Sequence, residues 1–447
     1  MTHPLTRVRE LPPVLPVLVV IALLALPIGP GGDGGAGPAD AVSALAVLYC
    51  VLRLLRERRR PLSGTAAVLL GLPVIGLAVA AMGASSAGAG LTGMGRYLQI
   101  FVLVPAAVLL LIRGRGDFRL LAWAFVGLAL WQGTVGVHQF LTGTGASYQG
   151  EEIRAVGTFG AQDVMGMATV VSFGLVCAVG LTLGQTPVRH RAVAAACALA
   201  LLVPLALSFS RGAWIATVVT IVVQFMLAGL GRALKVGAVV AALGVILVGG
   251  FGVGSAMLQE RVDSITQVTD APDQSVTDRY TMWAAAVGMW REHPLNGVGL
   301  KGFPEHRDAH AALSLSAGSD TEGAGSGFRK QPLLSPHNMY LLVLAEQGLI
   351  GLLALAGGWL ALLVCGLRRL VRVRRAGPGL DCALVACGLL AWQLTDFAYA
   401  DIGGTSTVLT AVCFGLAAWW ALGSGDTEEP AGPEAPVREP AEKAAVR

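Results

Sequence analysis

The sequence predicts an all-α polytopic membrane bundle of about 12 transmembrane helices, with one long extracytoplasmic loop that contains an interfacial helix. Three observations carry this. Hydrophobic residues make up 54% of the 447 and charged residues only 13%, where a soluble protein carries about a quarter charged. The apolar residues fall in long blocks, most of them of the length that crosses a bilayer as a helix. Lys and Arg alternate in density between successive connections, as the positive-inside rule requires.

The blocks lie at about 12–29, 38–54, 62–82, 97–112, 118–140, 160–184, 192–208, 212–230, 236–255, 337–364, 380–397 and 404–422. The first follows Arg7 and Arg9 and resembles a signal peptide. Pro27, Gly29 and Pro30 spoil a cleavage site, so it is read as a retained span. Ala and Gly are abundant, which suits close helix packing in lipid. Of the 32 Lys and Arg, 22 fall in one set of connections and in the two tails. Only Arg96, Arg154 and Arg211 fall in the five short connections of the other set, and 7 more lie in 256–336. Both termini are therefore expected in the cytoplasm, and 256–336 outside. The resulting division is 1–255 (spans one to nine), 256–336 (the extracytoplasmic loop region), 337–422 (spans ten to twelve) and 423–447. The last is rich in Glu, Pro and Ala and reads as a disordered cytoplasmic tail.

Several chemistries are disfavoured. The seven cysteines lie in or beside apolar blocks, with no CxxC pair, so neither a disulfide framework nor a cysteine metal site is indicated. The stretch LNGVGLKGF (295–303) lacks the phosphate-loop pattern and reads as a structural turn. Glu305, His306, Asp308 and His310 crowd a polar loop, which by itself is weak evidence for a metal site. No metal and no cofactor are expected.

The isolated outer arginines stand out because outer loops are otherwise poor in positive charge. Arg96 either anchors the interface beside Tyr97 or serves a site. Arg154, in EEIRAVGTFG, either pairs with Glu151 or Glu152 or contacts an anion. Arg211 sits in a very short turn between apolar blocks. A charge there is costly unless paired or wetted, and a guanidinium fits a phosphate bidentately.

In the long loop, TDRYTMWAAAVGMWREHP predicts a helix. Thr277 or Asp278 caps it, it runs to about Glu292, and Pro294 ends it. Tyr280, Trp283, Val287 and Trp290 recur at helical spacing, and their face suits the lipid headgroup layer. Arg279 falls in the first turn, where it opposes the helix dipole unless an anion binds there. Pairing with Asp278 is the structural alternative.

At 335–338 the sequence reads SPHN. Ser335 is expected to cap, Pro336 to take the first helical position and His337 to fall in the first turn. A positive helix end disfavours imidazolium, so His337 is expected neutral near pH 7 and able to accept a hydroxyl proton. Asn338 is placed to orient the ring or a sugar. Glu346 lies about 13 Å further along the helix, on the opposite face. Asp163, Asp396 and Asp401 are further acidic candidates near the outer ends of spans.

Together RAVGTFG (154–160), SFSRGAW (208–214), DRYTMWAAAVGMWREHPLNGVGLKGF (278–303) and PHNMYLLVLAEQGLIG (336–351) resemble the O-antigen ligase/polymerase superfamily, in family order. The resemblance implies a GT-C-type membrane glycosyltransferase of the bacterial cell membrane that needs neither metal nor nucleotide sugar. It implies an undecaprenyl-pyrophosphate-linked glycan donor, a hydroxyl acceptor at the outer leaflet, no nucleic acid, and other polysaccharide-assembly proteins as further partners. By the same resemblance Arg211, Arg279 and Arg154 hold pyrophosphate and His337 activates the acceptor. Asn338, Asp163, Tyr280 and Glu346 are supporting candidates. After GTFG the sequence reads AQDVMG, where the family usually carries asparagines. Twelve spans also suit a secondary transporter, although no repeat between halves is visible. A non-catalytic assembly partner is the third reading.

Overall fold

The computed structural model describes residues 12–27, 37–57, 62–148, 154–229, 231, 234, 274–323, 326–376 and 378–423. Among the described residues thirteen helices form the bundle. They are α1 (Leu15–Leu23), α2 (Pro38–Glu57), α3 (Gly64–Met82), α4 (Ala87–Leu111), α5 (Arg115–Thr142), α6 (Gly166–Leu183) and α7 (Val188–Leu207). There follow α8 (Arg211–Ala228), α9 (Gln274–Glu292), α10 (Phe303–His310), α11 (Met339–Ala376), α12 (Leu380–Asp396) and α13 (Thr407–Leu422). Among the described residues eight helices are long and apolar enough to cross a membrane. The protein is a polytopic helical membrane protein.

The expected spans map onto these helices with two departures. The block at 12–29 yields only the nine-residue α1, because Pro12, Pro13 and Pro16 crowd its start and Pro27 follows it. The block at 236–255 lies outside the described residues, as do 256–273, Glu151, Glu152 and the tail beyond Gly423. A further departure from an all-α chain is a small antiparallel sheet in strand order β1 (Ala146–Tyr148), β2 (Ser319–Gly323) and β3 (Ser326–Gln331). It ties the end of α5 to the long connection between α9 and α11.

Helix starts are set by side-chain caps that satisfy orphan amides, each worth about 1 kcal/mol. Ser63, Ser86 and Ser210 accept from the amides of Ala66, Ala89 and Ala213 at 3.2, 3.1 and 3.3 Å. In α4 a π-turn spans Gln99–Leu103. Pro105 has no N–H to give to Phe101, so the ladder shifts there and Val104 N–H bonds Gln99 O. The most enclosed helix is α6, apolar on all sides and packed among α5, α7, α8 and α12. Glycine permits close crossings elsewhere: a Cβ on Gly76 of α3 would lie 2.5 Å from Gly351 Cα of α11.

The long helix α11 is broken at Gly348, which has φ 65° and ψ −165°. The stretch Pro294–Phe303 inserts there. Leu349 and Ile350 donate to Pro294 O and Leu295 O at 2.9 and 3.2 Å, and Val298 and Gly299 donate to Ala345 O and Glu346 O at 2.9 and 3.1 Å. Leu300 N–H reaches Ala80 O of α3 at 3.2 Å. Non-helical backbone is tolerated inside a membrane protein when protein groups satisfy it.

Candidate active site

The connection between α12 and α13, residues 397–407 (FAYADIGGTST), is where the candidate residues meet. It is short, and its carbonyl groups and one carboxylate serve three other parts of the chain: Arg96, Arg279 and residues 335–339.

His337 does not lie in the first helical turn. Its φ is 49°, in the left-handed region, and α11 begins only at Met339. Asn338 is the cap: its Oδ1 accepts from Leu341 N–H at 3.0 Å, and its Nδ2 donates to Ala398 O at 3.0 Å. Met339 N–H is shared between Phe397 O and Ala400 O. Pro336 is excluded from the helix because its carbonyl accepts the Trp283 indole N–H of α9 at 2.9 Å. Ser335 turns away to donate to the Asp401 carboxylate. These contacts fix the backbone on both sides of the imidazole.

The ring's Nδ1 lies 3.9 Å from Asp401 Oδ2, and 43% of the His337 side chain remains exposed. That distance is an ion-pair separation and exceeds a hydrogen bond. Withdrawal from bulk water in this recess pushes the His337 pKa below its ordinary value; the Asp401 carboxylate opposes this, and the Arg279 guanidinium adds to it. Neutrality thus rests on the surroundings of the ring more than on a helix end.

Arg279 Nη1 donates to Tyr399 O at 3.3 Å. It does not sit in a first turn, since α9 already runs from Gln274. Nor does Asp278 cap this helix. The Asp278 carboxylate is buried and accepts from Gln274 Nε2 and Ser316 N–H, both at 2.8 Å, and from Ser316 Oγ at 2.5 Å. The serine that captures it lies 38 residues away, invisible to local pattern.

Arg211 opens α8 behind its Ser210 cap. The next residue, Gly212, lies against Tyr399, with a Cβ there 3.3 Å from Tyr399 Cβ. Arg154 stands further off, in a bridge to Ala146. Ala155 N–H bonds Leu207 O at 3.1 Å, which joins this segment to the turn before Arg211. Gln132 and Gln139 of α5 hold 156–158 by side-chain contacts to its backbone.

The other candidates support the turn or lie apart from it. Asp163 Oδ2 accepts from Ser406 N–H and Oγ at 3.3 and 3.1 Å, holding the start of α13. Arg96 pairs with Asp40 of α2 and donates to Gly404 O at 3.2 Å, so it is a cross-helix tie. Tyr280 is 56% exposed, with its ring edge-on to Trp283. Glu346 is buried in the insertion, where its Oε1 accepts from Phe303 N–H at 3.3 Å; no described hydrogen bond links it to 397–407. His306 and His310 turn Nδ1 toward Gly302 O and His306 O, and no group of three metal-ligating side chains occurs among the described residues.

Residues 195–356 match the family model described as O-antigen ligase. That stretch is similar to an O-antigen ligase domain. That domain covers about a third of the sequence and includes Arg211, Arg279 and His337. It supports membership of the O-antigen ligase/polymerase superfamily and thus a glycosyltransferase-type membrane protein of surface polysaccharide synthesis. No curated protein matches the chain. The O-antigen ligase match stops before 397–407, so the fold, and not the match, brings Tyr399 and Asp401 to the site. Sequence reasoning missed Tyr399, which acts through its carbonyl. Asp401 was one of the acidic candidates near the outer ends of spans, and only the fold sets it beside His337.

Proposed function

We propose that this protein transfers or polymerises glycan from an undecaprenyl-pyrophosphate-linked donor onto an acceptor hydroxyl at the outer leaflet of a bacterial membrane. One observation carries the reading: His337, Arg279 and the start of α8 all seat on one turn, with Asp401 facing the imidazole.

The chemistry follows from these positions. Asp401 lies on the Nδ1 side of His337 and favours the tautomer with its proton there. Nε2 is then the acceptor. As the acceptor oxygen attacks the anomeric carbon, its proton passes to His337 Nε2. The bond between the anomeric carbon and the phosphate oxygen breaks, and the lipid pyrophosphate leaves with the electron pair. Arg279 and Arg211 neutralise the charge that grows on it, with Arg154 contributing from the neighbouring segment. The left-handed backbone at His337 is a local strain that the surrounding bonds hold in place.

The charge bias between connections supports a topology with both termini cytoplasmic and the His337 end outside. In this orientation 256–336 is the extracytoplasmic region, followed by spans ten to twelve at 337–422 and a cytoplasmic tail.

The test is transfer from a defined lipid-linked oligosaccharide by purified protein. Wild type should form product, and Arg211→Ala and Arg279→Ala should each lose roughly 10²-fold or more in kcat/KM. Normal turnover by both variants would refute the assignment of the leaving group to these arginines.

A further inference from the structure

His337 has a left-handed backbone, with φ 49°. A residue with a side chain keeps that conformation only where its surroundings over-determine it. Apart from the bonds that start α11, the described hydrogen bonds of residues 335–339 run to two places. Ser335 goes to Asp401, Asn338 to Ala398 O, and Met339 N–H to Phe397 O and Ala400 O, all on the turn at 397–407. The remaining bond goes to α9, where the Trp283 indole N–H donates to Pro336 O at 2.9 Å.

Pro336 O belongs to the planar peptide that joins Pro336 to His337. The proline ring fixes its own φ, so the tilt of this peptide is set by Pro336 ψ and His337 φ. A donor on Pro336 O therefore acts on the torsion that is left-handed. Trp283 lies one helical turn from Arg279, on the same side of α9. Arg279 Nη1 reaches Tyr399 O at 3.3 Å, on the turn whose Asp401 faces the imidazole. The contacts close a ring: Arg279 to the turn, the turn to His337, and the 336–337 peptide back to Trp283. One helix thus holds both the leaving-group arginine and the backbone of the base.

Trp283 is not built as a headgroup anchor, which would turn its N–H to the wet layer. It is half-buried, and its N–H is spent on a backbone carbonyl. Tyr280, edge-on to it at 5.6 Å, is the exposed ring of this face. The geometry points to Trp283 as a positioning residue of the transfer reaction: its indole N–H aims the His337 ring by setting the 336–337 peptide. The effect on rate rests on the glycosyl-transfer reading; the effect on the imidazole does not.

The experiment uses the full chain purified in detergent, with two replacements that remove the N–H. Trp283→Phe keeps an aromatic ring. The benzothiophene analogue of tryptophan, installed at 283, keeps the whole ring frame with sulfur in place of the N–H, so it leaves no gap. Each should lower kcat about tenfold and leave the donor KM within about twofold, as expected for a base displaced by less than about 1 Å. In a His337→Ala background the same replacements should cost nothing further, because Trp283 acts through His337. A merely structural role predicts the same loss in both backgrounds. A readout without transfer is the carbethoxylation of His337 by diethylpyrocarbonate, followed by peptide mass spectrometry. It should speed several-fold once the peptide is released. Unchanged kcat in the benzothiophene variant, an equal loss in the His337→Ala background, or an unchanged carbethoxylation rate would each overturn the proposal. No transfer by wild type, with faster carbethoxylation in the variants, would refute the glycosyl-transfer reading and leave the placement of His337 by Trp283 standing.

Discussion

Two stretches of non-helical backbone meet α11 near the same end of the bundle, and they are built by opposite means. Residues 294–303 engage through backbone: their amides and carbonyls exchange bonds with 345–350 and with Ala80. Residues 397–407 engage through side chains as well: Asn338, Arg279, Arg96 and Asp163 each reach a group on this turn, and Asp401 faces His337. The first stretch is a fold element that needs glycine. The second is a scaffold on which charge and proton-transfer groups are hung. Breaking the two should therefore give different signatures, one in stability and one in turnover.

The largest effect is expected in the first stretch. Gly299 has φ 96°, and a Cβ there would lie 2.1 Å from Gly83 O. Neither strain nor clash can be relieved by rotating a side chain, because the neighbour is backbone. Gly299→Ala should cost about 4 kcal/mol or more, visible as loss of folded protein in detergent by size-exclusion and thermal unfolding. A stable Gly299→Ala protein with wild-type melting would remove the distinction between the two stretches.

His337→Ala tests the second stretch. Transfer should fall about 10²- to 10⁴-fold, the worth of a general base. The melting temperature should stay near wild type, because the imidazole makes no described hydrogen bond. The pH profile adds a sign. The His337 pKa is held below its ordinary value, so the neutral base predominates at pH 7 and above. Protonation removes the base, so kcat/KM should stay level through neutral pH and fall only on acidification below about 6.5. A profile that loses activity on the alkaline side of neutrality would contradict a neutral-imidazole base.

The contrast also explains what the sequence made legible. Spans are written in local composition, and eight of the twelve expected blocks coincide with helices long and apolar enough to cross a membrane among the described residues. Arg211 and His337 were legible as polar residues out of place beside apolar runs, and Arg279 as a cation near the start of a loop helix. The hub was not, since Ala398, Tyr399 and Gly404 act through carbonyls that every residue possesses. The caps at 278 and 335 were misassigned for a related reason. Asp278 and Ser335 have the right chemistry for local capping, but Ser316 and Asp401 compete for them from far along the chain. Local propensity yields where a buried carboxylate finds a stronger partner.

A smaller effect is expected from Asp401→Asn. Asp401 raises the His337 pKa against the larger opposing effect of burial. Removing its charge should lower that pKa further and shift the acidic limb of the profile to lower pH. Rate at neutral pH should fall about tenfold, because the charge that favours the productive tautomer is gone. A positioning role predicts both changes together. A merely structural role predicts a lower melting temperature with an unmoved limb.

The smallest effect sharpens the comparison most. Asn338→Ala and Ser86→Ala both delete a helix cap with one side-chain acceptor, and each should cost about 1 kcal/mol of stability. Asn338 also donates to Ala398 O, so its loss slackens the turn that carries Tyr399 and Asp401. Asn338→Ala should therefore reduce transfer several-fold beyond what its stability loss explains, while Ser86→Ala, whose described hydrogen bond is to its own helix start, should not. Asn338→Asp restores the cap but not the donor to Ala398, so it should recover melting temperature and leave transfer low. If it restored both, the link between the α11 cap and the hub turn would carry no catalytic consequence, and the division between a structural and a chemical stretch would have to be drawn elsewhere.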